Sequence, residues 1–233
     1  MVSIVCCTMR SSYMENLFHN YERQKYEQKE MILILNRDDL DIDEWKKQAK
    51  KYDNVFVYRV PEKHQLGKCL NVGIMRAKYD IIAKFDDDDY YAPDYLTEAT
   101  DKLSGRISVT GKHTSFVYFE ETGALMLYRR GGENKYRERV KGGTLVFRRS
   151  VWIDIPFDER RVHGCDVDFL RRCKRKGYRT YSVSKYNYVC VRRADISSHT
   201  QKTNTKTYMD RCKLICHTDN FIPLITVTPK SGD

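Results

Sequence analysis

Residues 79–91 read Tyr79-Asp80-Ile81-Ile82-Ala83-Lys84-Phe85-Asp86-Asp87-Asp88-Asp89-Tyr90-Tyr91, a short apolar run followed at once by four consecutive carboxylates. The apolar part has the length of a buried strand, and the aspartates fall at its carboxyl end, where ligands collect in open α/β sheets. Adjacent like charges repel and a packed strand end hydrates them poorly, so a cation is expected among them. Hard carboxylate oxygens favour Mg2+ or Mn2+, ions that bridge to diphosphates. A solvated acidic loop is the alternative, as is an Asp capping the helix that begins near Pro93-Asp94. Either suits one Asp better than four behind a buried strand.

Upstream of this stretch, strand and helix patterns alternate. Residues 2–8 read as a buried strand, and Ser12-Tyr13-Met14-Glu15 as a capping box before an amphipathic helix carrying Met14, Leu17, Phe18 and Tyr21. Residues 31–35 form the next strand, Asp41-Ile42-Asp43-Glu44 opens a helix through Trp45 and Ala49, and 54–60 returns as a strand. A helix over about 67–78 then feeds the strand 80–85. Such βα alternation predicts a mainly parallel sheet.

Downstream the pattern changes. Residues 109–118 and 124–128, joined through Glu120-Glu121-Thr122-Gly123, read as a hairpin, and 144–148 as a further strand. A helix over 166–176 has an acidic first turn and a stop at Gly177, and 178–183 and 186–191 are short strands. The fold class expected is α/β, a layered sandwich around a mixed central sheet with a small second β-region.

Composition sets the frame. The 233 residues, without a Pro/Gly/Ser-rich linker or internal repeat, suit one domain. The start lacks the pattern of a signal peptide and no apolar run reaches membrane-spanning length, so a soluble, cytoplasmic protein is expected. Eight cysteines at irregular intervals, with no C-x-x-C pair, fit buried thiols in a reducing compartment. Cys212-Lys213-Leu214-Ile215-Cys216-His217 lacks a matching second half for zinc and reads as a helical face. The net charge of +10 invites a nucleic-acid reading. The cations are nevertheless interspersed with acids, and Arg171-Arg172 with Lys174-Arg175-Lys176 reads as the wet face of a helix. Such a surface also suits an anionic substrate, an anionic polymer acceptor or a membrane leaflet.

Taken together, these pieces resemble the nucleotide-sugar-dependent glycosyltransferases of family 2, which have the GT-A fold. The matching parts are Val2-Ser3-Ile4-Val5-Cys6-Cys7-Thr8, the strand ending at Asn36-Arg37-Asp38-Asp39, Leu66-Gly67-Lys68-Cys69-Leu70-Asn71-Val72-Gly73-Ile74 with Ala77, the Asp-x-Asp-like segment 79–89, and Pro93 with Tyr95-Leu96. A later block runs from Pro156-Phe157-Asp158-Glu159 through Gly164-Cys165-Asp166-Val167-Asp168-Phe169-Leu170 and Arg172 to Gly177-Tyr178. The order and spacing of several motifs make this more specific than a lone Asp-x-Asp. The resemblance implies a nucleotide-sugar-binding half, 1–100, and an acceptor-binding half with a C-terminal tail, 101–233. It is also similar, through Asn20-Tyr21-Glu22-Arg23-Gln24 and the compact 84–91 stretch, to members that glycosylate the surface of bacterial spores.

The resemblance also implies roles. Asp88 is the principal ligand of Mn2+ or Mg2+, Asp86 contacts the ribose or shares the metal through water, and Asp87 faces the nucleotide. Asp89 points away and caps the next helix. Thr8 and Arg10 lie beside base and ribose, Asn36 near the pyrimidine edge of a UDP or dTDP sugar, and Lys68 near ribose or phosphates. Family members carry Asn where Arg10 stands and Asp at or beside Asn36, which leaves base selectivity open. For an inverting transfer, Asp166 is the candidate general base, with Asp168 as the alternative and an N-cap as the structural reading of Asp166. The usual Glu-Asp is here Cys165-Asp166. Arg192-Arg193 and His199 would close over the diphosphate or complete the metal shell. His163 is an acceptor-side candidate. The acceptor is a sugar, a lipid-linked group or a protein, with peripheral membrane association compatible.

Two other classes remain to be separated. A sugar-nucleotide nucleotidyltransferase carries a Gly-rich phosphate loop after its first strand, whereas Cys6-Cys7-Thr8-Met9-Arg10-Ser11-Ser12 holds no glycine. A non-enzymatic binder of nucleic acid or anionic polymer explains the charge but neither the aspartates nor the Asp166 block.

Overall fold

The structure is a computed structural model and describes residues 1–195 and 204–228. β1 (Val2–Thr8), α1 (Met14–Glu22), β2 (Lys29–Leu35), α2 (Ile42–Ala49), β3 (Val55–Arg59), α3 (Leu66–Arg76) and β4 (Ile81–Asp86) follow in strict alternation. The short β5 (Tyr90–Tyr91) and α4 (Tyr95–Asp101) come next. Then follow β6 (Ile107–Gly111), β7 (Ser115–Phe119), β8 (Ala124–Tyr128), β9 (Lys135–Tyr136), β10 (Val146–Arg148), α5 (Arg149–Asp154), α6 (Cys165–Arg175), β11 (Arg179–Ser182), β12 (Tyr188–Arg192), α7 (Thr205–Met209), β13 (Cys212–His217) and α8 (Ile222–Ile225).

The main sheet has the order β3-β2-β1-β4-β10-β6-β11-β9. β1 to β4 run parallel, while β10 is antiparallel to both β4 and β6. The chain builds outward from β1 to β3 and then returns to place β4 on the other side of β1. The crevice between the carboxyl ends of β1 and β4 is therefore the topological switch point, where open α/β sheets bind ligands. Thr8 ends one of these strands and Asp86 the other.

Both faces of this sheet are covered, so β1 reads as a continuous apolar run instead of an alternation. Ile4 and Cys6 face Leu17, Phe18, Trp45 and Tyr95 in one core layer. Val5 and Cys7 face Leu70, Ile74, Val151 and Phe169 in the other. A second sheet, β13-β8-β7-β12-β5, leans on the first through β5 and carries its own small clusters against Ile225 and Tyr208.

Three local expectations are corrected. The stretch 109–118 is not one strand: it breaks at Lys112-His113-Thr114, so that β6 joins the main sheet and β7 the second. Each of those three residues is tied elsewhere. The Lys112 ammonium meets Glu98 at 3.1 Å, the His113 N–H donates to Ser182 Oγ, and the Thr114 hydroxyl donates to the Arg129 carbonyl. Ser12 does not cap α1, because residues 11–13 form a 3-10 turn whose flanks lack side-chain caps. The 212–217 segment is a strand pairing with β8, not a helical face, with Cys212 and Cys216 packed against different small clusters. Asp41 does cap α2, accepting the N–H groups of Asp43 and Glu44. Gly177 ends α6 at φ 86°, a left-handed conformation that glycine adopts without penalty. All eight cysteines are free thiols. No helix among the described residues is long and apolar enough to cross a membrane.

Candidate active site

At the end of β4 each aspartate has its own partner. Buried Lys84 donates to Asp86 Oδ1, and the nearby Asp86 charge keeps its ammonium protonated although burial alone would favour the neutral amine. The Asp87 carboxylate takes the Thr8 hydroxyl at 2.6 Å and a two-pronged contact from Arg10. One oxygen of Asp88, Oδ2, is shared by two guanidiniums, Arg10 at 3.0 Å and Arg193 at 2.7 Å. The Tyr13 ring lies against both, 4.3 Å from Arg10 and 4.6 Å from Arg193. Burial pushes Asp88 up, but the arginines outweigh it and hold it below the usual carboxylate range. Asp87, desolvated and beside Asp88, is pushed up despite Arg10.

Asp89 does not cap α4, whose N-cap is Asp94. Its carboxylate is buried, accepting the Tyr188 hydroxyl and the Val191 N–H at 3.2 Å, and desolvation with Asp88 and Asp86 nearby raises it to about 7. Asn16 and Asn20 clamp the backbone of the run by donating to the carbonyls of Asp87 and Asp89. This local work was invisible in the sequence. The asparagines lie one helical turn apart on α1, but nothing in that spacing announces their target.

A second set of residues approaches from the other half of the chain. Gly142 and Gly143 form a turn before β10, and a Cβ on Gly143 would stand 2.5 Å from Asp86 Oδ2. A Cβ on Gly142 would stand 2.0 Å from Asp166 Oδ2. Two consecutive glycines thus let the carboxylates of β4 and of the first turn of α6 lie against the same piece of backbone. Tyr91 fixes that backbone: its hydroxyl accepts the Asp86 N–H at 2.7 Å and donates to the Gly143 carbonyl at 2.6 Å. The Gly-Gly dipeptide was the signal by which this turn could have been found.

Asp166 is half-buried in the first turn of α6, whose N-cap is Gly164 and not Asp166. Asp168 is buried and held by Arg161, Arg171 and Arg172, the last two at 2.6 and 2.7 Å. Asn36, at the end of β2, donates its amide to the carbonyls of Val60 and Pro61 at 3.3 and 3.0 Å. Only an NH2 group can meet two carbonyls, which fixes the orientation of this amide. Lys68 pairs with Glu159 at 3.2 Å on the first turn of α3. His163 is exposed, and His199 lies outside the described residues. Thr8, Arg10, Asp87, Asp88 and Arg193 therefore form one connected group, Asp86 and Asp166 share the glycine turn, and Asn36 and Lys68 are engaged on neighbouring loops.

Among the described residues no three His, Cys, Asp or Glu side chains form a metal cage. The donor set on offer is sparser: Asp86 and Asp88, whose side chains are 38% and 17% exposed. Such a set fits Mg2+ or Mn2+, which are held by one or two carboxylates while phosphate and water complete the shell.

The glycosyl transferase family 2 profile matches residues 3–150. Among solved structures, S. aureus TarS 1-349 in complex with UDP-GlcNAc aligns with a TM-score of 0.62 at 17% identity, covering 85% of this chain and 61% of that one. The mannosyltransferase PcManGT from Pyrobaculum calidifontis, in complex with GDP-Man and Mn2+, aligns with a TM-score of 0.63 at 14% identity over 90% of this chain and 59% of that one. The chain spans 60% of TarS 1-349 itself. No curated protein matches the sequence.

Proposed function

The chain belongs to glycosyl transferase family 2, and from that premise we propose that it moves a sugar from a UDP- or dTDP-linked donor to an acceptor hydroxyl with inversion at the anomeric carbon. The observation that carries this reading is the Gly142-Gly143 turn, which sets Asp166 and Asp86 against adjacent residues. A donor diphosphate at the strand ends and an acceptor over α6 would then meet across that turn.

In this reading Asp86 and Asp88 would hold a divalent metal, as the Mn2+ named with the mannosyltransferase suggests. Bound there, the ion supplies the positive charge that offsets the leaving phosphate. Asp166 accepts the proton of the acceptor hydroxyl as its oxygen attacks from the face opposite the diphosphate. Its proton-accepting oxygen is available because Asp166 leans on glycine, whereas Asp168 is saturated by arginines. Arg10 and Thr8 orient Asp87 toward the nucleoside side. Asn36 has spent its amide protons on Val60 and Pro61, so what it presents to a base is its Oδ1 acceptor. That acceptor suits the N3–H of uracil or thymine and not the bare N3 of cytosine. The resemblance to spore-surface enzymes supports a polysaccharide or glycoprotein of the cell or spore surface as acceptor, reached from the cytoplasmic side.

A thermal-shift screen with UDP, dTDP, GDP and CDP and their sugars, with Mn2+ or Mg2+, tests the proposal, since bound ligand stabilises by mass action. UDP or dTDP with metal is expected to stabilise the protein, and a matching sugar donor to be hydrolysed slowly. Asp88→Ala should lose both responses. A response to no nucleotide, or one unchanged by Asp88→Ala, overturns it.

A further inference from the structure

The first three aspartates of the run are already matched by three protein cations: Lys84 on Asp86, Arg10 on Asp87, and Arg193 on Asp88. A divalent ion entering this balanced group finds little net attraction unless something anionic arrives with it or a cation leaves. The contact at Asp88 decides which cation can leave. Arg10 and Arg193 both donate to the same oxygen, Oδ2, at 3.0 and 2.7 Å. An ion coordinating that oxygen at about 2.1 Å cannot share it with two guanidinium nitrogens at hydrogen-bond distance. Arg10 keeps a two-pronged hold on Asp87 if its bond to Asp88 breaks. Arg193, one residue beyond the end of β12, reaches Asp88 from the other sheet, with the Tyr13 ring 4.6 Å away as its rest.

We propose that Arg193 is the built-in counter-cation of Asp88 in the donor-free enzyme, and that metal and nucleoside diphosphate enter together by exchange with it. The inference rests on the donor-site reading of Asp86 to Asp88. When a diphosphate arrives, Arg193 releases a carboxylate and takes a phosphate, exchanging one anionic acceptor for another that suits its planar fork. The Asp88 oxygen that Arg193 gives up would then be open to hold the metal. Without the diphosphate, no donor anion replaces Asp88 for Arg193, so the metal alone competes poorly. Metal and nucleotide are thereby coupled, each raising the affinity of the other by the same factor. Arg193 is in this sense a positioning residue: it holds Asp88 in place, and it withholds the metal site until a donor is present.

Titration of Mn2+ followed by electron paramagnetic resonance, with and without UDP, dTDP or GDP, reads this directly. The folded wild-type protein is expected to bind Mn2+ weakly alone and much more tightly with its nucleotide. Arg193→Gln should bind Mn2+ alone about tenfold tighter or more, the scale of one charge-assisted hydrogen bond that no longer has to be broken, while the nucleotide binds more weakly. The ratio between the two metal affinities should shrink by the same factor or more, leaving only the coupling that direct ligation of the ion by the diphosphate supplies. Arg193→Lys should recover part of the coupling, and Asp88→Asn should abolish Mn2+ binding in every state. If Arg193→Gln leaves the nucleotide-free affinity unchanged or lowers it, while nucleotide still recruits Mn2+ to the wild type, the exchange is wrong and the donor site stands. If the wild type binds no Mn2+ even with any of the three nucleotides, the donor-site reading fails and the exchange falls with it.

Discussion

Asp166 and Asp168 sit two residues apart in the first turn of one helix and in opposite surroundings. Asp168 is buried, and three arginines drawn from its own neighbourhood, Arg161, Arg171 and Arg172, saturate it. Asp166 is half-buried and its Oδ2 lies against Gly142, a residue with no side chain to obstruct it. The two positions lie on opposite sides of the helix, one toward the arginine-lined flank and the other toward the glycine turn and Asp86. Identical chemistry is thus divided by placement into a carboxylate that holds structure and one that is available to accept a proton.

The sharpest test of that division is a pair of isosteric changes. Asp166→Asn should lower kcat by about a hundredfold to ten-thousandfold, the range for losing a general base, with little change in donor KM or in unfolding temperature. Asp168→Asn should do the reverse. It leaves three arginines facing a neutral amide and is expected to cost about 2 kcal/mol of stability, below the value for a fully buried pair because the arginines are partly hydrated. Its kcat should stay near wild type. If Asp168→Asn loses catalysis in a folded protein while Asp166→Asn keeps it, the two roles are exchanged.

A smaller effect tests the glycine turn that separates the two environments. In Gly142→Ala the new methyl group meets the Asp166 carboxylate, the movable end of a side chain, so the protein should fold and Asp166 should swing aside. A loss in kcat of about tenfold is expected from that displacement, with stability changed by less than about 1 kcal/mol. Gly142→Ala made in an Asp166→Asn background should add almost nothing, because the residue it displaces no longer acts.

How much of this was legible in the sequence follows the same divide between the two halves of the chain. From β1 to β4 strands and helices alternate regularly, so period and length give them to within about two residues, and the carboxyl ends of β1 and β4 follow from topology. Beyond β6 the chain crosses from one sheet to the other and back, and the apolar pattern across Lys112-His113-Thr114 does not reveal that it changes sheet there. The aspartate run announced a charge problem, for which a divalent metal is the expectation from sequence. The sequence could not show that Arg10 and Arg193 also reach Asp88, because those contacts span 78 and 105 residues. Asp89 illustrates the same limit. Its helix-capping role was a local inference, and Tyr188, brought by β12, took its place.

The pH dependence of Asp168 is the finest of these comparisons. Burial alone would raise this carboxyl, but the hydrogen bonds from Arg172 and Arg171 and the charge of Arg161 hold it below the ordinary range. A depressed folded value means that the unfolded chain takes up the proton first on acidification. The stability it contributes is therefore complete above about pH 4 and is lost as the pH falls through the depressed folded value. Asp168→Asn has no such group, so its stability curve should fall less steeply in acid. The difference between wild type and variant, measured by urea unfolding, should be constant from neutral pH down to about pH 4 and narrow below it. A gap that stays the same down to the acid unfolding limit would mean that the arginines hold Asp168 by shape and hydrogen bonding and not by charge. A gap that widens in acid would reverse the sign of its coupling and remove the distinction between the two carboxylates of α6.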